Sequence, residues 1–425
     1  MKRFFLLCVL LAVICVPAIV FGESWAEFVD RAHQAMEGAT GEVVVQVEGN
    51  VTNRGAAPLV VPKNVQLVID GENAHFAVMR LGGGDVTLRG QGMTVGVGET
   101  NPQVATIILW PDPESKNPYQ IKLRLEEGVT INGITEREVG AKKGDIAIEI
   151  YNYGKIFSTE TSGGVNLRIY TQSRKNISLA LFNYGEIEGN ALLMDVGIGD
   201  GARALTVHNE GVMKIIRDDK YEGIRLLAST NRNGGVKLQL TNNGSIITNR
   251  PIQLGVAPYY GSNVKCELSI ENLEGGIIES TVDGEAALQV AYNGERKITK
   301  GFTKINNAGT LRAAGPLLAV SFSTENQVPA SFVNTGVIEW DDSDTAPVQI
   351  TMQHHVSDIN KVMTEKKFQD YADKWIKKTV FNFLPADTKM DIVLLGGVNI
   401  QWPWHPLYHD RCVIVSEQTI MHPGD

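Results

Sequence analysis

Several stretches of the chain alternate apolar and polar residues with a period of two and then reach an asparagine. Apolar residues occupy every second position from Ile146 to Ile150, and Asn152 follows in the same phase. Such alternation predicts a β-strand with one buried face. Because the asparagine shares the phase of the apolar residues, we expect its side chain to point inward.

This asparagine recurs along the chain with a glycine two residues after it. We call the segment from the asparagine to the glycine the corner. The recurring asparagines are Asn152, Asn183, Asn209, Asn242, Asn307 and Asn334, and a variant with one inserted residue begins at Asn272. Their mean spacing of about 30 residues lies in the range of solenoid repeats. Stacked inward amides about 4.8 Å apart can hydrogen-bond to one another. The pattern therefore predicts an asparagine ladder, with glycine supplying the backbone freedom that the corner needs.

A short second strand and then a third alternating strand are predicted after each corner. The third strands are expected to stack with these triplets aligned: Met194–Val196, Ile224–Leu226, Ile252–Leu254, Leu288–Val290, Leu318–Val320 and Val348–Ile350. Three strands per repeat without a helical period predict an all-β parallel β-helix over residues 41–350.

With these repeats, the chain resembles the right-handed β-helix superfamily often called pectin-lyase-like. Segments such as Asn307–Gly315 are similar to repeats of bacterial autotransporter and haemagglutinin-type passengers. The resemblance implies a right-handed, single-stranded β-helix in an exported bacterial protein.

Both ends of the solenoid are predicted to be covered. Ser24 and Glu27 match a capping box, and residues 23–40 are expected to contain a short amphipathic helix that caps the first coil. Residues 351–425 are interpreted as a small C-terminal α+β cap or appended unit. Its helix is expected to follow Thr364 and to end near Pro385.

The first 22 residues are typical of a secretory signal peptide. Lys2 and Arg3 precede an apolar run from Phe4 to Val20, which is short for a membrane span. We therefore expect a secreted or extracytoplasmic protein, in the periplasm or at the surface of a bacterium, without a transmembrane segment after cleavage. The chain has a formal net charge of −9, which disfavours nucleic acid as a partner.

One candidate site lies on the third strands. Asp195 and Arg225 are expected to point outward on neighbouring coils, in a column that Gln253, Gln289 and Gln349 continue. The resemblance to β-helix enzymes that cleave acidic polysaccharides makes Arg225 a candidate base and Asp195 a candidate calcium ligand. The alternative is a surface salt bridge beside a solvated glutamine stripe, since such lyases group several carboxylates and this column has one.

A second candidate lies just before the corners. Tyr151, Phe182 and His208 are expected to stack on successive coils, where they could bind a sugar face or a partner chain. The alternative is that another part of the chain packs over them.

Metal binding is weakly indicated, and no cofactor is predicted. His405, His409 and Cys412 are possible ligands, but their spacing matches no established zinc motif. Asp341, Asp342 and Asp344 are a possible calcium group without the glycine of a calcium loop. Cys266 shares the phase of buried neighbours and is expected in the core.

These features favour an exported, non-catalytic interaction module, adhesin-like or glycan-binding, whose partner is a polysaccharide or a cell-surface protein. The alternative is a polysaccharide lyase or glycoside hydrolase acting on an acidic glycan. A third hypothesis is a structural component of an envelope assembly. Fold alone does not decide among them.

Overall fold

The structure of the protein is a computed structural model. It describes residues 22–98, 106–111, 117–137, 139–141, 144–157, 164–170, 174–197, 199–216, 223–230, 234–258, 264–282, 284–292, 300–323, 328–341, 346–355, 365–385, 392–399 and 412–420. Within them the chain forms a right-handed parallel β-helix with three sheets, two α-helices and one 3-10 turn at Val139–Ala141. The predicted fold class is confirmed.

Between residues 41 and 355 each coil contributes to all three sheets, and the chain visits the sheets in a fixed order. The first sheet contains β2 (Gly41–Gln46), β5 (Val65–Asp70), β7 (Met79–Arg89), β10 (Tyr119–Leu125), β13 (Ile146–Asn152), β16 (Ile177–Asn183), β19 (Arg203–Asn209), β22 (Val236–Asn242), β25 (Lys265–Asn272), β28 (Lys300–Asn307), β31 (Ala330–Asn334) and β34 (Val380–Asn382).

The second sheet is built from short strands, and those after residue 152 follow the asparagine corners. It contains β1 (Glu23–Ser24), β3 (Asn50–Thr52), β6 (His75–Phe76), β8 (Thr94–Val95), β11 (Thr130–Asn132), β14 (Lys155–Phe157), β17 (Glu186–Gly189), β20 (Val212–Ile215), β23 (Ser245–Thr248), β26 (Ile277–Ser280), β29 (Thr310–Ala313) and β32 (Val337–Trp340).

The third sheet closes the coil and shares β7 with the first sheet. It contains β4 (Leu59–Val60), β9 (Ile107–Leu109), β12 (Ile134–Glu136), β15 (Val165–Tyr170), β18 (Leu192–Gly197), β21 (Ile224–Thr230), β24 (Ile252–Pro258), β27 (Leu288–Tyr292), β30 (Leu318–Ser323), β33 (Val348–His355), β35 (Ile392–Asn399) and β36 (Cys412–Ile420). Only β35 and β36 pair antiparallel among the strand pairs of the described residues.

The core is the interior of the coil, where the apolar side chains of all three sheets meet. Leu179, Leu205 and Leu238 occupy one inward column of the first sheet, and each is fully buried. Cys266 lies in the same sheet with no exposed surface, which confirms its expected place in the core.

The asparagine ladder is present as predicted. Each Nδ2 donates to the Oδ1 of the next asparagine over 2.7–2.8 Å, through Asn152, Asn183, Asn209, Asn242, Asn272, Asn307 and Asn334. Most also donate to a backbone carbonyl of the following coil, as Asn242 does to Ile277 over 3.0 Å. The buried amides are thus satisfied by one another and by the corner backbone, except Oδ1 of Asn152 at the start of the ladder, which has no partner.

The prediction that the corner glycines are needed for their backbone freedom is wrong. Gly185, Gly211 and Gly244 do not have a positive φ. A Cβ atom on Gly211 would instead lie 2.0 Å from the carbonyl oxygen of Gly185, in the coil below. The glycine is needed because successive corners stack too closely to admit a side chain.

The predicted register of the third sheet is right for five triplets and wrong for one. Ile224 pairs with Ile252 and with Leu192, not with Met194. A shift of two residues keeps the same side chains inward, so alternation alone does not distinguish the two alignments. As a result Gln253 and Gln289 share the column of Arg225, whereas Asp195 lies two residues further along the strand, opposite Leu227.

Helix α1 (Trp25–Met36) covers the N-terminal end of the solenoid. The predicted capping box is present, with Glu27 N donating to Ser24 Oγ and Ser24 N donating to Glu27 Oε2. Its buried face contains Trp25 and Phe28, whose ring packs edge-on against Phe76. The helix thereby shields the first coil.

The C-terminal segment continues the solenoid and then covers it. Helix α2 (Glu365–Ile376) ends at Ile376 rather than near Pro385, because the chain must return to the first sheet as β34. Trp375 on α2 is almost fully buried and contacts the rings of Phe322, Phe332 and Phe381. Strand β35 then pairs in parallel with β33.

Several predictions fall on residues outside the described ranges. Residues 1–21, Asp342, Asp344, His405 and His409 are not among the described residues, and for Cys412 only its place in β36 is described. Across the described part of the chain, no helix has the length and apolar character needed to cross a membrane.

Candidate functional site

Asp195 and Arg225 meet on the third sheet as a buried ion pair. Nε of Arg225 donates to Oδ1 of Asp195 over 3.1 Å, and its Nη2 donates to Oδ2. The hydroxyl of Tyr170 donates to the same Oδ2 over 2.6 Å. Burial, together with the negative charge of Asp195, raises the pKa of Tyr170, so this phenol stays protonated. The carboxylate is therefore surrounded by donors.

This pair is covered on the outside of the coil. Asp195 has no exposed surface and Arg225 exposes 6%. The ring of Tyr170 lies over Gly197, where a Cβ atom would approach the ring to 2.8 Å. Beside the pair, Gln253 donates to Gln289 over 3.4 Å. In this arrangement neither Asp195 nor Arg225 offers a surface to a polymer.

The first sheet carries a different, exposed cluster, which we call the aromatic strip: Tyr151, Tyr153, Phe182, Tyr184 and His208. Tyr151 and Phe182 stack with their ring centroids 4.7 Å apart, and Tyr153 and Tyr184 do so at the same distance. His208 lies at the end of both stacks, 6.4 Å from Phe182 and 6.1 Å from Tyr184. All five side chains are partly or fully exposed.

Tyr151 and Phe182 stack as expected, whereas the ring of His208 is tilted by 50° from that of Phe182. The sequence reasoning missed Tyr153 and Tyr184. The signal was available, since tyrosine is the middle residue of the corner in two consecutive repeats. The corner holds these two rings one strand spacing apart, parallel to the first stack.

Cations close the other end of the strip. Lys122 lies over the ring of Tyr151, 5.4 Å from its centroid, and Arg124 lies 4.4 Å from the centroid of Tyr153. Both faces of Tyr151 are thereby occupied, by Lys122 and Phe182. The surface available to a ligand consists of ring edges and hydroxyl groups rather than ring faces.

A cleft opens on the same face of the first sheet, next to the strip. Its volume is 810 Å³, and we call it the glycine cleft because Gly82, Gly83 and Gly84 line it. One wall is formed by Val60–Lys63, and the other includes Pro111 and Pro118. A Cβ atom on Gly84 would lie 2.4 Å from Val61, so the glycines allow the wall to approach the sheet closely.

Three charged side chains cross the cleft in one row. Asp85, Lys122 and Glu149 are paired in register on β7, β10 and β13. Glu149 accepts a hydrogen bond of 3.0 Å from the hydroxyl of Tyr151, and burial together with this bond raises the pKa of Tyr151 to about 12. The row therefore joins the glycine cleft to the aromatic strip.

Asp85 is the unusual member of this row. Its Oδ1 atom is buried and has no hydrogen-bond partner. Burial raises the pKa of the Asp85 carboxyl, and the positive charge of Lys122 only partly offsets this effect. A buried acceptor without a donor costs free energy.

In the described parts of the chain, no group of three or more His, Cys, Asp or Glu side chains is placed to hold a metal ion. Comparison of the chain with protein-family models, curated proteins and solved structures found no match.

Proposed function

We propose that this protein is an exported, non-catalytic β-helix that binds a glycan through the exposed face of its first sheet. In this proposal the chain is similar in kind to the right-handed, pectin-lyase-like β-helix proteins, and its long face acts as the binding surface outside the cytoplasm.

One observation carries the proposal: the aromatic strip and the glycine cleft form one continuous exposed surface across neighbouring coils. Tyrosine hydroxyls, ring edges and the side chains of Lys122 and Glu149 alternate along it. A glycan presents both hydroxyl groups and apolar C–H surface, so a surface of this mixed chemistry is complementary to it. The strip also spans three successive coils, so it can contact more than one unit of a polymer.

The direct test is binding of the purified chain to a panel of neutral, acidic and amino-sugar oligosaccharides, measured by calorimetry. We expect the double variant Phe182→Ala/Tyr184→Ala to lose at least about tenfold in affinity, which corresponds to about 1.4 kcal/mol. Phe302→Ala is the matched control, because Phe302 is an exposed aromatic on the same sheet several coils away. Failure of the wild-type chain to bind any of these glycans would refute the proposal.

The polysaccharide lyase alternative has less support. Its two candidate residues, Asp195 and Arg225, are joined to each other and shielded from the surface. A base must come within hydrogen-bond reach of the proton that it removes. Release of unsaturated uronides from an acidic polymer, lost in Arg225→Ala at unchanged thermal stability, would instead establish the enzymatic function.

A further inference from the structure

We infer that the glycine cleft is a subsite for one neutral, hydroxyl-bearing sugar unit, held by Asp85 and Lys122. This inference rests on the proposed function and assigns it a place and a ligand class. The aromatic strip would then contact the rest of the polymer.

The shape of the cleft suits a sugar unit. A volume of 810 Å³ falls within the range of about 300–1,000 Å³ that is usual for ligand pockets. On the floor, Gly83, Gln120 and Ala147 come from neighbouring strands, so two of the three floor residues have almost no side chain. A ligand can therefore approach the sheet backbone closely.

The cleft also offers hydrogen-bonding groups. The carboxyl group of Asp85, a partly exposed residue that lines the cleft, can accept hydrogen bonds, and Lys122 on the next strand is an exposed donor. Vicinal hydroxyls of a sugar both donate and accept, so one pair can satisfy a carboxylate and an ammonium group together. The proline rings of Pro62, Pro111 and Pro118 provide apolar surface for the C–H groups of the same sugar.

The charges that line the cleft are balanced, since Asp85 and Glu149 are matched by Lys122 and Lys63. Any attraction of a uronate to the two lysines is offset by repulsion from the two carboxylates, and the converse holds for the ammonium group of an amino sugar. A neutral sugar avoids both repulsions.

The test compares two cleft variants with two matched controls. Asp85→Asn removes the carboxylate, and Ala147→Trp fills the floor. Ala204→Trp is the control for bulk, because Ala204 lies in the same outward column as Ala147, two strands further on. Glu267→Gln is the control for charge, as an acidic residue on the same face outside the cleft.

Calorimetry would use neutral di- and hexasaccharides, a galacturonate hexamer and a glucosamine hexamer. We expect the wild type to prefer the neutral ligands, and both cleft variants to lose about tenfold or more in affinity for the neutral disaccharide. The controls should bind as the wild type does. Thermal unfolding midpoints of all four variants would show that they are folded.

The outcomes separate this inference from the proposed function. If the hexasaccharide binds and Phe182→Ala/Tyr184→Ala weakens it, while Asp85→Asn and Ala147→Trp leave binding unchanged, the cleft subsite is wrong and the glycan-binding function stands. Preference of the wild type for the acidic or amino-sugar ligand would also overturn the inference. Absence of binding to every glycan would overturn both.

Discussion

At the scale of single residues, the asparagine ladder makes the burial of amide side chains stabilising rather than unfavourable. An amide buried in a coil is unfavourable alone, but each asparagine between the two ends of the ladder has a partner one strand above and one strand below. The benefit depends on an unbroken row, since one missing member leaves a donor and an acceptor unpaired.

Asn242→Ala should therefore lower stability. It removes the bonds from Asn209 and to Asn272 and leaves both neighbours short of a partner, which we expect to cost about 2 kcal/mol or more. Asn243→Ala is the matched control, because Asn243 is the next residue and is exposed. Urea unfolding followed by circular dichroism would compare them, and equal midpoints for the two variants would contradict the ladder's role.

The Asp85 carboxyl should make stability depend on pH in a predictable direction. Burial raises its pKa in the folded protein, so the folded state holds this proton more tightly than the unfolded chain. The carboxyl therefore lowers stability when pH is above its raised pKa, and this cost disappears as pH falls below the unfolded value.

Asp85→Asn removes that cost. We expect the variant to be more stable than the wild type at pH 7 and equal to it near pH 3, where both states of the wild type are protonated at this site. Urea unfolding of both proteins at the two pH values would measure this difference in stability. A variant less stable than the wild type at pH 7 would mean that the carboxylate has a structural partner.

At the scale of elements, the sequence predicts which faces are buried better than it predicts how strands align. The inward residues, the ladder and both helices followed from periodicity and capping residues such as Ser24 and Glu27. The register of β18 did not, because a two-residue shift preserves the alternation. The glycine cleft was missed because its walls come from segments that are distant in sequence, including Val61 and Pro118.

The corner glycines offer a sharp element-scale test. Gly211→Ala would place a methyl group against the carbonyl oxygen of Gly185, so we expect a clear loss of stability, of about 2 kcal/mol or more. At Gly235 an added Cβ atom would lie 3.6 Å from its nearest neighbour and φ is not positive, so Gly235→Ala should be neutral or slightly stabilising. Thermal unfolding midpoints of the two variants would check both, and equal values would reject the close-approach explanation.

The C-terminal helix should act as a cover for the last coils. Trp375→Ala would empty the space between Phe322, Phe332 and Phe381, at a cost of about 3–5 kcal/mol in that region. Limited trypsin digestion should then cleave faster near Lys377 and Lys378. Tyr371→Ala is the control, because Tyr371 lies on the same helix but is partly exposed, and this variant should be cleaved more slowly than Trp375→Ala. Faster cleavage of Tyr371→Ala would contradict the role of the helix as a cover for the last coils.

At the scale of the whole molecule, the fold is a stack of interchangeable coils between two distinct ends. Each coil contacts its neighbours above and below through three parallel strands, so stability is expected to add up coil by coil. Both ends, by contrast, rely on contacts that occur once, such as Phe28 against Phe76.

Removal of one complete coil, residues 243–272, should therefore leave a folded protein. Asn242 would then stack directly against Asn307, and the solenoid would shorten by one strand spacing of about 4.8 Å. Removal of only residues 243–257 should prevent folding because it breaks the phase of every later strand. Circular dichroism and small-angle scattering would distinguish the two deletions; unfolding of the first would show that the coils are not interchangeable.

Interchangeable coils raise a problem during folding that the buried ion pair addresses. An amide row cannot distinguish one coil from the next, so a segment could dock one coil out of place and still complete its ladder. If β18 docked against β24, Asp195 would face the neighbourhood of Gln253 in place of Arg225 and would keep only its longer ion pair with Arg168, of 3.8 Å. Loss of one partner from a buried pair costs about 3–5 kcal/mol where no other charge compensates it, and less here because Arg168 remains. We therefore expect the Asp195–Arg225 pair to favour the native neighbour of β18 over the next coil.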